Sequence, residues 1–179
     1  MPMKLTEVRT AALRRAVKAL YKSTFPLNER KPFSVILKKQ KTGQMELLAI
    51  TDDAEEFCGL VITILYRDLV LLDYFAVCPS RRGRNIGTTT LSLIRKRYPD
   101  RRLILEIEDP DAPCDNREER LRRRAFYLRN GMEIMPFRVD LFGVEMLILT
   151  AGGAVSFDEY HALFPAVFSD FIARFVKLL

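Results

Sequence analysis

The sequence predicts a mixed α/β fold in which a largely apolar β-sheet is flanked by helices. Strand-like apolar runs alternate with segments of helical periodicity, and the connections include both tight turns and longer crossovers, as in mixed sheets. The chain has 179 residues, of which 49% are hydrophobic and 29% are charged. This length and composition indicate one domain over residues 1–179, with residues 156–179 as a C-terminal helical extension of it.

The first half of the chain predicts a helix followed by three strands. Apolar residues recur at helical spacing between Thr10 and Ser23, and Thr10 is the expected cap. The two prolines within residues 25–33 interrupt this pattern, so a loop is expected there, followed by a short helix. Strands are expected at 45–50, 56–66 and 69–78, and Arg67-Asp68 leaves room for a hairpin between the last two.

The second half predicts alternating strands and helices. Helices are expected at 86–97 and 117–130, the second ended by Gly131, and strands at 103–108, 132–139 and 142–150. Ser156 and Glu159 fit a capping box that opens the final helix. That helix carries an apolar stripe of Phe164, Phe168, Phe171, Phe175 and Leu178. Such a stripe packs on the sheet of its own chain or forms a homodimer interface, and both interpretations stay open.

Charge and composition narrow the function classes. The net charge is +6, and basic side chains concentrate in residues 81–102 and 117–129, which indicates either an anionic partner or solvated helix faces. Three separated cysteines and one histidine predict neither a disulfide framework nor a metal site. No apolar leader opens the chain, and no apolar run is long enough to span a membrane, so a cytoplasmic protein is expected.

The chemical signal lies in residues 77–88, which read Val-Cys-Pro-Ser-Arg-Arg-Gly-Arg-Asn-Ile-Gly-Thr and join a strand to a helix. Backbone N–H groups and the helix dipole at such a junction favour an anion. Glycine lets a phosphate approach the main chain, and Arg82 and Arg84 add positive charge. These features predict a pyrophosphate site.

The same stretch resembles the acyl-CoA pyrophosphate loop of the GNAT superfamily of N-acetyltransferases, V-x-P-x-x-R-G-x-G-[IV]-G. The matching residues are Val77, Pro79, Arg82, Gly83, Ile86 and Gly87. Asn85 stands at the family's middle glycine, and asparagine is among the few residues that tolerate a left-handed backbone there. A second stretch, residues 124–132, resembles the family's FY-x-x-x-G-[FM] segment.

This resemblance implies a GNAT-like sheet, splayed between two parallel strands, that binds acetyl-CoA. The pantetheine arm would pair with the backbone of Phe75, Ala76 and Val77. The pyrophosphate would be held by Arg82, Gly83, Arg84, Asn85, Ile86, Gly87 and Thr88. Tyr127 aligns with the family's usual acid, which protonates the departing thiolate.

Three candidates remain for the general base that accepts the proton of the amine. Leu105-Glu106-Ile107-Glu108 resembles the L-E-V-R segment of the ribosomal-protein N-terminal acetyltransferases, which implies Glu106 as the base. Water and Glu29, in the loop expected at 25–33, are the alternatives. The acidic residues of segment 106–115 are expected either to attract a cationic amine or to form a solvated loop.

These features predict an N-acetyltransferase that moves an acetyl group from acetyl-CoA to a primary amine of a small molecule or peptide. The amine would attack directly in a ternary complex, because no cysteine lies in a motif that would form an acyl-enzyme. Two alternatives remain: a non-enzymatic nucleic-acid-binding domain, and an acyl-CoA-binding regulatory protein of the same fold. The first leaves the spacing of Arg82, Gly87 and Tyr127 unexplained and lacks an aromatic platform for single strands.

Overall fold

The computed structural model describes residues 2–179, which form an open mixed sheet flanked by helices, so the predicted fold class is confirmed. The strands are β1 (Met3–Glu7), β2 (Met45–Asp52), β3 (Phe57–Tyr66), β4 (Leu69–Val77), β5 (Arg102–Glu108), β6 (Glu133–Leu141), β7 (Val144–Ala151) and β8 (Val176–Leu178). The helices are α1 (Ala11–Thr24), α2 (Phe33–Lys41), α3 (Ile86–Arg97), α4 (Arg117–Arg129), α5 (Phe157–Val167) and α6 (Asp170–Ala173). The strand order is β1-β2-β3-β4-β5-β7-β6-β8.

One compact unit comprises the residues up to Leu65 together with residues 72–99. Within it, β1 pairs antiparallel with β2, and β2 pairs antiparallel with β3. Helix α2 contacts β2 and helix α3 contacts β1. Nearly every residue of β2 and β3 is buried, which explains why these strands read as continuous apolar runs instead of alternating ones.

Helix α1 begins where the sequence predicts. The Thr10 hydroxyl accepts a hydrogen bond from the Leu13 N–H at 3.2 Å, which satisfies one of the free donors of the first turn. The apolar positions Val17, Leu20 and Tyr21 are buried. The amphipathic pattern therefore identified the face that the helix packs.

The second compact unit comprises residues 66–71 and the chain from residue 100 onward. The start of β4 pairs in parallel with β5, from Leu69–Leu71 to residues 102–104. Strand β7 then pairs antiparallel with both β5 and β6. Helix α5 opens with the capping box predicted at Ser156 and Glu159. The organisation of residues 1–179 as a single domain stays a prediction.

The C-terminal segment departs from the single helical stripe that the sequence predicts. Helix α5 ends at Val167, the short helix α6 follows, and Val176–Leu178 forms strand β8, antiparallel to β6. The extension is therefore helical only as far as Ala173. Strand β8 pairs with the edge that β6 offers, and the exposed ring of Phe175 stacks on Phe142 with centroids 5.3 Å apart.

Strand β1 was not predicted from the sequence. Residues 3–7 alternate apolar Met3 and Leu5 with polar Lys4 and Thr6, which is the signal of a half-buried strand. Met3 is buried, and the strand pairs with β2 over its whole length. Among residues 2–179, no helix combines the length and apolar character needed to cross a bilayer.

Candidate active site

The loop between β4 and α3 contains two residues with positive φ values, Gly83 and Asn85. After a short 3₁₀ turn at Pro79–Arg81, Gly83 has φ +78°, and Asn85 has φ 59° and ψ 14°, a left-handed conformation. The predicted left-handed backbone at Asn85 is therefore confirmed. A Cβ built on Gly83 would meet nothing within 4 Å, so the main chain at this position is open to a ligand.

The start of helix α3 presents unpaired backbone donors. The Thr89 N–H donates to the Asn85 carbonyl at 3.1 Å, and this is the first turn of the helix. The N–H groups of Ile86, Gly87 and Thr88 consequently have no partner within the helix. Together with the positive end of the helix dipole, they form a site that favours phosphate oxygens.

The arginines of this loop divide into two kinds. Arg81 turns back toward the end of β2, where it forms an ion pair with Glu56 and lies 3.7 Å from the buried carboxylate of Asp52. Arg82 and Arg84 are exposed, and no carboxylate among residues 2–179 forms an ion pair with either of them. Arg81 therefore anchors the loop, whereas Arg82 and Arg84 carry charge that is available to a ligand.

The main chain of β4 before this loop is tightly supported by β3. The Cys78 N–H donates to the Cys58 carbonyl at 2.8 Å. Gly59 lies so close that a Cβ there would be 2.3 Å from the Ala76 carbonyl oxygen. The predicted pantetheine-binding residues Phe75, Ala76 and Val77 thus lie on a strand that β3 holds along one edge.

Glu29 belongs to a loop that is fixed by aromatic residues. The Tyr74 hydroxyl donates to the Glu29 carbonyl at 2.8 Å and accepts from the Lys31 N–H at 3.0 Å. The rings of Tyr21 and Phe25 pack edge-on against Tyr74, with centroids 4.8 and 4.9 Å away. These contacts hold the Glu29 backbone, and the Glu29 residue itself is exposed.

In the second unit, Tyr127 lies on α4 with a hydroxyl that serves no structural contact. The residue is half-buried, and its ring packs edge-on against Phe126. None of residues 2–179 is hydrogen-bonded to its hydroxyl. Burial raises the pKa of Tyr127 to about 12, with Arg123 opposing that shift, so the hydroxyl keeps its proton at neutral pH. The Tyr127 hydroxyl is therefore a hydrogen-bond donor at neutral pH.

Glu106 on β5 is engaged from within the same unit. The hydroxyl of the fully buried Tyr160, on α5, donates a short hydrogen bond to its carboxylate. Tyr160 lies in the first turns of the helix that begins at the Ser156 capping box. Its role was missed, because only the tertiary fold brings α5 against β5.

Three carboxylates of the acidic segment 106–115 form ion pairs with arginines of the same unit. Glu108 pairs with Arg120 at 2.8 Å and with Arg123 at 3.0 Å. Asp109 pairs with Arg138 at 3.2 Å. Asp111 pairs with Arg117 and Arg124. Arginines of α4 and β6 thus offset part of the segment's negative charge. Asp111 stays exposed, so attraction of a cationic amine and a solvated loop both stay open as interpretations.

The same contacts remove much of the positive charge from the basic segments. On α4, five arginines are engaged by carboxylates of the chain, namely Arg117, Arg120, Arg122, Arg123 and Arg124. On α3, Arg97 donates to Glu46 at 2.8 Å, and this contact raises the pKa of its guanidinium. Arg97 is thus a structural residue, not a solvated charge. Arg82 and Arg84 keep exposed positive charge next to the N-terminus of α3.

A metal centre has no support in the described part of the chain. Among residues 2–179, no three side chains of histidine, cysteine, aspartate or glutamate are grouped so that they could hold an ion. His161 contacts the Ala173 carbonyl at 3.0 Å and packs against Phe157, both structural contacts.

Comparison with known proteins places the chain at the level of its fold. No family model and no curated protein matches the sequence. Among solved structures, a GNAT-family protein from Bacteroides thetaiotaomicron superposes with a TM-score of 0.77 at 17% identity, covering 97% of this chain and 99% of that one. An aminoglycoside 6'-N-acetyltransferase complexed with coenzyme A gives 0.65 at 18% identity, covering 84% and 96%.

The ribosomal-protein-S18-alanine N-acetyltransferase from Escherichia coli gives a TM-score of 0.61 at 16% identity, covering 87% of this chain and 100% of that one. Identities this low establish the fold alone. The chain has the GNAT fold, and the resemblance found in residues 77–88 and 124–132 is confirmed at that level.

Proposed function

We propose that the protein is an acetyl-CoA-dependent N-acetyltransferase of the cytoplasm, acting on a primary amine of a small molecule or peptide. One observation carries this proposal: the loop at 82–88 combines left-handed backbone, free helix N–H groups and two unpaired arginines. Each of these features favours a diphosphate. The GNAT fold also supports the proposal, since a solved structure of that fold is complexed with coenzyme A.

Acetyl-CoA is a substrate of this reaction and brings an activated thioester. In the proposal, Arg82, Gly83, Arg84, Asn85, Ile86, Gly87 and Thr88 hold the pyrophosphate. The backbone of Phe75, Ala76 and Val77 pairs with the pantetheine arm, and a backbone N–H near Val77 stabilises the negative charge that develops on the acetyl oxygen. The amine attacks directly, so no residue of the chain carries the acetyl group to this acceptor.

Two side chains handle protons in the proposed reaction. Tyr127 protonates the departing thiolate, a role supported by its unengaged hydroxyl, which carries a proton at neutral pH. Glu106 accepts the proton of the amine, directly or through water. The hydrogen bond from Tyr160 orients the Glu106 carboxylate, and a carboxylate oxygen can accept more than one such bond. Glu29 remains the alternative base.

The binding half of the proposal is tested by calorimetry with CoA. Arg82→Ala should weaken binding ~10-fold, because it deletes a charge-assisted contact to phosphate. The matched control is Arg15→Ala, an exposed arginine on α1 of the same unit, which should bind CoA like the wild type. Equal losses at both positions would indicate diffuse charge attraction, as a nucleic-acid-binding domain would show.

The catalytic half is tested with Tyr127→Phe, which keeps the ring and removes only the hydroxyl. Turnover with an accepted amine should fall by ~10²-fold or more, the usual scale for a positioned acid. CoA affinity should change little, because the hydroxyl acts on charge that appears during bond breaking. Unfolding stability should stay within ~0.5 kcal/mol of the wild type, since the hydroxyl has no partner to lose. Wild-type turnover in this variant would remove Tyr127 from the mechanism. A protein that binds CoA but turns over no amine would instead be a regulatory member of the fold.

A further inference from the structure

A lysine side chain is held against strand β4 just before its predicted pantetheine-binding stretch. The Lys31 ammonium lies 2.7 Å from Asp73 Oδ1 and 5.2 Å from the centroid of the Tyr74 ring. The Asp73 side chain is only 6% exposed, and its second oxygen, Oδ2, is buried without a hydrogen-bond partner among residues 2–179. A buried carboxylate thus holds a primary amine on one oxygen and keeps the other free.

The location of this amine follows from strand geometry. Asp73 and Tyr74 are consecutive, so their side chains point to opposite faces of β4. An ammonium that contacts both must lie beside the main chain, at an edge of the strand. Strand β3 holds one edge of β4, through the Cys78 to Cys58 hydrogen bond and the close approach of Gly59. The Lys31 ammonium therefore lies along the other edge.

If the proposed function holds, on which this inference rests, acetyl-CoA binds along this edge of β4. With the pyrophosphate beyond the C-terminal end of β4 and the arm paired to residues 77 to 75, the thioester end points toward Asp73. Asp73 is two residues before Phe75, or ~6.6 Å along a strand. The amine nearest the acetyl group in this unit would then be that of Lys31. We propose that the protein acetylates its own Lys31.

The chemistry of this step balances with groups already present. Asp73 Oδ1 takes one proton from the Lys31 ammonium, which frees the nitrogen lone pair. The nitrogen forms a bond to the acetyl carbon, the carbon–sulfur bond breaks, and its electron pair leaves with the CoA sulfur. The second proton of the nitrogen passes to that sulfur, and Asp73 releases its proton to solvent. Acetyl-lysine, free CoA and one proton are the products. Asp73 thus serves as the base for this step.

The site also distinguishes Lys31 from other lysines of the same unit. Lys22, Lys38 and Lys41 are exposed, whereas the Lys31 side chain is 28% exposed. Chemical acetylation in solution follows exposure and so disfavours Lys31. Acetylation by the protein itself follows proximity to the bound thioester and favours it.

The test is to incubate the full chain with acetyl-CoA, without any acceptor, and to follow each lysine by peptide mass spectrometry. Lys31 should gain an acetyl group at least ~10-fold faster than Lys22, Lys38 or Lys41, a margin typical of a well-placed reactant. The rate per molecule should not change when the protein is diluted, because the reaction is intramolecular. N-acetylimidazole, which reacts with exposed amines, should reverse the preference.

Variants separate the role of the ion pair from labelling in general. Asp73→Asn should slow acetylation of Lys31 by ~10²-fold, the scale for loss of a positioned base. Lys31→Arg keeps a positive charge beside Asp73 and should abolish the label at this position, whereas Lys38→Arg should leave acetylation of Lys31 unchanged. Calorimetry with CoA on each variant shows that the cofactor site is intact.

The outcomes are distinguishable. Acetyl-CoA binding without acetylation of Lys31, or with all four lysines acetylated equally, would overturn this inference and leave the proposed N-acetyltransferase standing. A labelling rate per molecule that rises with protein concentration would also overturn it. Absence of CoA binding would overturn both the proposed function and the inference.

Discussion

Replacing Gly59 by alanine tests whether β3 positions the predicted pantetheine-binding stretch. A Cβ at this position would lie 2.3 Å from the Ala76 carbonyl oxygen, 2.8 Å from Ile50 Cδ1 and 3.1 Å from Val77 Cα. The Ile50 methyl can rotate away. The Ala76 carbonyl belongs to the main chain of β4, and reaching a normal contact of ~3.5 Å requires that strand to retreat by ~1.2 Å.

Overpacking of this kind costs ~1–3 kcal/mol. In a protein of ~150–250 residues each kcal/mol lowers Tm by ~2–4 °C, so a loss of ~2 kcal/mol should lower it by ~4–8 °C. Scanning calorimetry measures this loss. Because Ala76 and Val77 move, affinity for CoA should also fall, as measured by titration calorimetry at a temperature where both proteins are folded.

Gly43→Ala is the matched control. Gly43 lies in the turn between α2 and β2 of the same unit, with φ +72° and nothing within 4 Å of its built Cβ. Alanine there should cost ~1–2 kcal/mol through left-handed strain while leaving CoA affinity unchanged. A Gly59→Ala protein with wild-type Tm and wild-type CoA affinity would refute the close approach of β3 to β4.

Two further predictions concern the loop and the C-terminal half. Asn85→Gly should bind CoA within ~3-fold of the wild type, because glycine adopts the left-handed backbone without strain; complete loss of binding would assign the Asn85 side chain a part of its own. Hydrogen bonds from Arg102 and from the Ser156 N–H lower the pKa of Glu159 to about 2 in the folded protein. The ionised carboxylate therefore gives its full stabilisation above ~4.3, the pKa of glutamate in the unfolded chain, and this stabilisation is lost as the pH falls through about 2. Glu159→Gln should therefore lower Tm at pH 6 but not at pH 2, and an equal deficit at both pH values would contradict this linkage.

The elements that local chemistry specifies were predictable from the sequence. Helix α3 spans the predicted residues 86–97, and Gly131, in the predicted helix-stopping position, has φ +74°. Caps, glycines and hydrophobic periodicity act within a few residues, so they can be interpreted without the tertiary fold. The same holds for the loop, where Gly83 and Asn85 adopt positive φ values, as the resemblance predicts for Asn85.

What escaped prediction depends on distant partners. Residues 3–7 show the alternation of apolar and polar side chains that is typical of a strand. A strand of five residues nevertheless gains its stability from pairing with β2, more than 40 residues away. At the other end, the stripe that includes Phe171 fits a helix by spacing alone. Residues 176–178 instead form a strand that pairs with β6, because an open sheet edge offers hydrogen bonds that a terminal strand can satisfy.

Charge partners were equally inaccessible from the sequence. The acidic residues 106–111 and the arginines of α4 appear in the sequence as two separate blocks of charge. The structure pairs several of them, for example Glu108 with Arg120, and so offsets part of the charge of each block. Net charge by segment therefore overstates the unpaired charge that each block presents to a ligand. Arg82 and Arg84, which have no carboxylate partner among residues 2–179, keep the positive charge that the proposed function uses.

Strand β4 explains why the remaining site could not be found by motif alone. Asp73 is the one charged residue in Leu69–Val77, and an acidic residue in an apolar strand is a signal that can be recognised. Its meaning depends on Lys31, which arrives from a loop more than 40 residues earlier. Along β4 the proposed proton acceptor, the main-chain pairing stretch and the phosphate loop follow one another at Asp73, 75–77 and 82–88. Because side chains alternate along a strand, shifting Asp73 by one residue relative to Phe75 would turn its carboxylate to the opposite face. The order and the spacing of these groups on a single strand are therefore part of the chemistry that we propose.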